Sequence, residues 1–258
     1  MRLKAGCEID FDVAQATTFL LMLRPRSGYG QWVAQEEYTL SPEVPAIELV
    51  DVYGNLYQRL VAPAGRFSVR TSGLVETADA IDTAPGAPLT PVQNLPDSVL
   101  PFLFQSRYCQ SDLLADEATQ LTAAAAPGYD QAEAIRSWIQ KNVEYRYGAS
   151  DASTSARDTL QQRSGVCRDF AHLGIALCRS LTIPARMVVG YLHRLEPMDL
   201  HAWFEAYVGG RWYTFDATQD APRGGRIVLG YGPDAAHVAL ATQFGPAELA
   251  SMKVWVEH

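Results

Sequence analysis

Cysteine is scarce in this chain and scattered where it occurs. Four of the 258 residues are cysteine: Cys7, Cys109, Cys167 and Cys178. No two form a CxxC pair, and four so widely spaced make no disulfide framework. Histidine is nearly as thin. His172, His193, His201, His237 and His258 make no HExxH and no Cys/His cluster, so the sequence supports no structural zinc. Positive charge is also short: 21 Lys and Arg against 29 Asp and Glu leave a formal net charge of −8. With no basic run or aromatic–basic stripe, neither nucleic acid nor an anionic membrane surface is an expected partner. Long apolar runs are missing too. The run 19–23 is ended by Arg24, Pro25 and Arg26, is far too short to span a bilayer, and does not read as a signal peptide. A cytoplasmic location is the resulting expectation. No loop carries an EF-hand-like ligand pattern, and no cofactor is implied.

What is present is a globular composition, 48% hydrophobic, enough for one large or two modest domains. Residues 7–13 alternate strictly, Cys7, Ile9, Phe11 and Val13 against Glu8, Asp10 and Asp12, which is a strand with one buried face. Further strands are predicted at 17–24, 32–40, 47–52 and 66–70, with Gly54-Asn55 as a two-residue hairpin loop. Residues 1–77 therefore read as an all-β, sandwich-like domain without a chemical constellation. Pro85, Pro88, Pro91, Pro96 and Pro101 mark 78–108 as an extended connector. The remainder, 109–258, is assigned to one catalytic domain. It opens with helices at 113–126, stopped by Pro127-Gly128, and at 130–144, where Ala134, Ile135, Trp138, Ile139 and Val143 form a stripe. A short helix at 155–162 has Ser155 as cap and Asp158 three positions on. The predicted class is α+β.

Chemistry gathers after Gly165. A helical pattern starts at once, with Phe170, Gly174, Leu177 and Leu181 on its packed face. Cys167 thus sits in the first turn, where unpaired N–H groups and the positive dipole end favour a thiolate. A free cysteine is more often a small core residue, and the downstream residues decide between the two. Residues 201–208 and 211–216 flank Gly209-Gly210, a turn that fixes hairpin register. Phe204 then faces Phe215, and Trp203 faces Asp216. His201 shares a sheet face with Trp203 and Asp216, so imidazole and carboxylate are diagonal neighbours, about 7–8 Å apart at the backbone. A carboxylate that orients an imidazole, beside a thiol, is the apparatus of nucleophilic acyl transfer. Cys178 lies three turns from Cys167, roughly 16 Å away along a straight helix, and cannot resolve it.

Four blocks carry a family resemblance: Gly-Val-Cys-Arg-Asp-Phe-Ala at 165–171, Ile-Pro-Ala-Arg at 183–186 with the later Gly-Tyr, His-Ala-Trp-Phe-Glu at 201–205, and Trp-Tyr-Thr-Phe-Asp-Ala-Thr at 212–218. In this order they resemble the bacterial transglutaminase-like superfamily. The segment 226–238 is similar to the tail of its domains, and the β unit to the small domain that precedes them. The resemblance implies a papain-like core, with a Cys-bearing helix packed on an antiparallel sheet. It implies Cys167 as nucleophile, His201 as general base and then acid, and Asp216 as the orienting carboxylate. The Cys167 backbone N–H would be one oxyanion donor. Tyr145 and Tyr147 lie upstream, where a second donor could come from, and packing explains them equally well. Asp169 and Arg186 match family positions in structural roles, at the helix end and on a buried carboxylate. The function implied is hydrolysis of a peptide or protein amide through a thioester. Transamidation to an amine and a non-catalytic scaffold with a relic triad stay open. Arylamine acetyltransferases share the triad order but begin with helices.

Overall fold

The structure is a computed structural model and describes residues 1–28 and 30–258. Six strands come first: β1 (Arg2–Val13), β2 (Thr17–Leu21), β3 (Trp32–Ser41), β4 (Ala46–Val50), β5 (Leu56–Ala62) and β6 (Gly65–Glu76). Then follow α1 (Ala115–Leu121), α2 (Tyr129–Asn142), β7 (Glu144–Tyr145), α3 (Ala156–Gln162), β8 (Ser164–Gly165) and α4 (Cys167–Ser180). The chain continues through β9 (Ala185–Leu192), β10 (His201–Val208), β11 (Arg211–Phe215), β12 (Arg226–Gly232), β13 (Ala241–Phe244) and β14 (Ala247–Glu257). The fold is α+β.

The β unit is a sandwich of two antiparallel sheets, β14–β1–β6–β3 and β13–β2–β5–β4. The alternation in β1 sends Cys7, Ile9, Phe11 and Val13 inward. Phe19 from the second sheet fills the space between, its ring 4.9 Å from Phe11 and 5.9 Å from Phe67.

The two sheets depart from the expected division of the chain. Their outer strands β14 and β13 come from the tail, pairing with β1 and β2, whereas 109–258 was expected to form one unit. The period-2 pattern of a strand does not name its partner, and no local turn joins β14 to β1. Trp255 anchors the closure: it lies over Gly6, where a Cβ would sit 2.6 Å from the ring, and Arg70 covers it at 4.7 Å.

The predicted hairpin at Gly54-Asn55 exists, but pairing ends at Val50 and Leu56, leaving a five-residue loop. Asp51 organises the loop by accepting the Tyr53 and Asn55 N–H groups, each at 2.8 Å. Asn55 closes the loop and also turns its buried side chain onto the backbone of β12. In the proline-rich stretch, Pro88 and Thr90 accept the Gly209 and Gly210 N–H groups, at 2.9 and 3.2 Å. They strap the tip of the β10–β11 hairpin. That tip is eight residues from His201, about 26 Å along the strand.

The same core continues into the antiparallel sheet β11–β10–β9–β12 with α4 packed on it. Gly174 allows the close approach, since a Cβ there would lie 2.4 Å from the Phe204 ring. Every residue from Asp169 to Arg179 is buried. The remaining sides of α4 are covered by α1, α2 and α3. This sets a helix start, with its free N–H groups, at the end of the hairpin strands.

Candidate active site

The parallel pair β7–β8 delivers the chain to Cys167. Val166 is extended, with φ −115° and ψ −178°, and the helix begins at the next residue. Asp169, fully buried, accepts the Val166 N–H at 2.8 Å and the Ser150 hydroxyl, and Arg168 pairs with it at 3.1 Å. It thereby satisfies a free donor at the helix start and complements the dipole. Gly165 makes room for it, because a Cβ would meet the Asp169 Cβ at 2.7 Å. Cys167 stays half-buried, while Cys7, Cys109 and Cys178 are buried.

The hairpin has the predicted register, Val208 opposite Arg211 and Phe204 opposite Phe215. Asp216 follows the last strand residue. His201 Nε2 and Asp216 Oδ2 are 2.8 Å apart, with the ring 3% and the carboxylate residue 5% exposed. The acceptor-only carboxylate makes this ring nitrogen the donor and leaves Nδ1 free of it, and the Cys167 side chain lies close enough to favour the charged ring. The three predicted residues are therefore brought together.

A fourth residue, not foreseen from the sequence, completes the group. Arg226, on β12, places Nη2 2.8 Å from the same Asp216 oxygen. The other oxygen accepts the Thr218 N–H at 3.0 Å and its hydroxyl at 2.8 Å. Trp203 lies between the two cations, its ring 6.0 Å from the His201 ring and 4.9 Å from the Arg226 guanidinium. Burial by itself would push the Asp216 carboxyl up. Arg226, then His201 and the hydrogen bonds, outweigh it and hold the group well below the usual carboxylate range. Burial likewise works against a charged His201, yet the Asp216 charge and hydrogen bond, with Cys167 adding, raise the ring to about 9.

Tyr145, 42% exposed, completes the rim. Its pairing with Gly165 brings the phenol close to Cys167. Burial and then the Cys167 charge push its hydroxyl above its ordinary value. Tyr147 lies edge-on to it at 5.6 Å and Phe170 lies 5.7 Å away.

Residues 115–217 match the transglutaminase-like superfamily. The crystal structure of a Cytophaga hutchinsonii protein described as a "putative cysteine protease" superposes with a TM-score of 0.91 at 39% identity, covering 99% of this chain and 90% of that one. The chain belongs to the transglutaminase-like superfamily. An uncharacterized protein of Mycobacterium leprae is 28% identical over 230 residues, 84% of this chain and 82% of its own. One of Mycobacterium bovis is 30% identical over 246 residues, 84% of this chain and 77% of its own.

This transglutaminase-like chain thus has a cysteine-based catalytic fold, and its other polar residues sort around it. Arg186 pairs with Glu205 across β9 and β10 at 2.6 Å, and it lies over the rings of Trp212 and Tyr231. His172 stacks on Tyr108 at 4.9 Å and accepts the Ala235 N–H. Burial pulls its ring down to about 4, so it stays neutral. Burial raises Cys7 to about 11 and Cys109 to about 12, and Cys178 still further. Arg226 was open to discovery in the sequence as a lone charge at the head of the apolar run 227–229. Among the described residues, no helix is long and apolar enough to cross a membrane.

Proposed function

We propose that the chain hydrolyses peptide or protein amide bonds by a Cys167–His201–Asp216 triad. The observation that carries this reading is the His201 ring held on Nε2 by the buried Asp216 carboxylate at 2.8 Å, with the Cys167 side chain close enough to favour its charged form. In the proposed cycle the thiol proton already rests on the His201 ring, as a thiolate–imidazolium pair, and sulfur attacks the amide carbonyl. The imidazolium returns that proton to the departing amine, leaving a thioester. Water then gives a proton to the ring as its oxygen attacks the thioester, and the acid is released with regeneration of the thiolate–imidazolium pair. The developing oxyanion would lie against the Cys167 N–H, with the Tyr145 hydroxyl as second donor. Hydrolysis rather than transfer is favoured by the description given to the relative of 39% identity.

The test is a panel of peptide, isopeptide and ester substrates, with and without a primary amine, followed by product analysis and intact mass. Hydrolysed product, a transient acyl adduct on Cys167 and loss of both in Cys167→Ala are expected. Amine incorporation in place of hydrolysis would make the chain a transamidase. No turnover, together with alkylation of Cys167 no faster than that of a free cysteine, would leave a scaffold.

A further inference from the structure

The catalytic sheet has an open edge at β12, and side chains of the β sandwich close it. A strand edge exposes a row of N–H and C=O groups that must be paired when buried. Gln31 supplies both partners for one residue: its Oε1 accepts the Val228 N–H at 2.7 Å and its Nε2 donates to the Val228 carbonyl at 2.8 Å. Asn55 repeats the arrangement further along, on Tyr231, at 2.9 and 2.8 Å. Each carboxamide stands in for the peptide group of a missing neighbouring strand. Both are buried, at 7% and 0% exposure.

The two clamps differ in what they hold. Val228 is two residues from Arg226, on the same face of the strand and on the same side of the irregularity between Val228 and Gly230. Tyr231 lies beyond that irregularity. The β unit also reaches Arg226 directly, since the Thr77 hydroxyl donates to its carbonyl at 2.7 Å. Arg226 in turn holds the carboxylate that orients the imidazole.

We propose that Gln31 is a positioning residue of the active site: by clamping the edge of β12 from the sandwich, it sets Arg226 on Asp216 and, through Asp216, the ring of His201. The inference rests on the triad reading above, so its test needs a readout that does not require a substrate. That readout is the rate of Cys167 alkylation by iodoacetamide, measured by intact mass on the full chain, below the lowest melting temperature.

Wild type is expected to react at Cys167 well ahead of Cys109 and Cys178. Gln31→Ala is expected to slow it several-fold at pH 7, up to about the tenfold that loss of the Asp216 charge would give. Asn55→Ala should lower the melting temperature as well, yet alter the rate less than about twofold, because the bulge separates its anchor from Arg226. Gln31→Glu supplies a rescue. A protonated carboxyl can accept from and donate to Val228 as the amide does, losing only the second N–H that Gln31 gives the Arg26 carbonyl at 3.0 Å, whereas a carboxylate can only accept. Its rate should match wild type at low pH and fall behind as the introduced group ionises. The charged residues beside it are Glu76, which lines the same surface hollow, and Arg26, whose carbonyl accepts from the Gln31 amide; the first would move that point up and the second down.

Two results overturn the inference: Gln31→Ala reacting like wild type despite a lowered melting temperature, or Asn55→Ala slowing the thiol equally. If Gln31→Ala does not fold, a Gln31→Glu profile parallel to wild type at every pH overturns it. A wild-type Cys167 no faster than Cys109 would instead sink the triad reading itself.

Discussion

The electrostatic core of the site can be tested with Asp216→Asn. In the native chain His201 holds its proton to about 9 because Asp216 outweighs the effect of burial. Against an ordinary value of 6.5, that is about 3 kcal/mol in favour of the imidazolium. The amide has nearly the same shape but no charge. Burial is then opposed by Cys167 alone, and the titration of His201 should fall to about 6.5. At pH 7.5 the protonated fraction would fall from about 97% to about 9%, roughly tenfold. The assay is the imidazole carbon-bound proton shift against pH, with Cys167 alkylation at pH 7.5 beside it. The same substitution leaves Arg226, 6% exposed, without its counter-charge, at a cost of about 3–5 kcal/mol. That corresponds to roughly 6–20 °C in melting temperature for a chain of this size. Combining Asp216→Asn with Arg226→Met should recover much of the stability and none of the titration. A His201 ring that still titrates near 9 in Asp216→Asn would refute the reasoning outright.

Three further outcomes follow from the geometry. Tyr145→Phe should lower kcat about 10²–10³-fold with KM little changed, as expected for loss of one oxyanion donor; steady-state kinetics on the substrate found in the panel decide it. His172 titrates near 4 when folded and near 6.5 when unfolded, so the unfolded chain binds the proton first. Stability should therefore fall as pH drops from 6.5 to 4, by up to about 3 kcal/mol, and His172→Asn should flatten the melting profile across that window. Gly174→Ala would drive a methyl into the Phe204 ring, costing about 1–3 kcal/mol, with thiol reactivity falling alongside the melting temperature as α4 lifts from β10.

The legible parts of this chain are local ones. Gly165 followed by Cys167 announces a helix start within three residues, and Gly209-Gly210 sets a register that carries His201 to Asp216. Short sequence distances leave few geometries, so the hairpin register could be read directly. The parts that escaped notice are joined across the whole chain. Gln31 and Val228 are 197 positions apart, and Gly6 and Trp255 pair through a strand with no connecting turn. Nothing in a glutamine's neighbours says that it will imitate a strand. Arg226 escaped for a related reason: its meaning depends on a carboxylate in another loop. Asn55 escaped differently, because a good turn residue satisfies the eye before its side chain is asked for a partner.

The closure of both sandwich sheets by β13 and β14 bears on the birth of the molecule. During synthesis the first six strands and the whole thiol-bearing core leave the ribosome before residues 241–257, and β1 and β2 wait with bare edges. The platform that carries Gln31 is then unfinished, so the backing of the imidazole is complete only once β13 and β14 have paired with strands made more than 200 residues earlier.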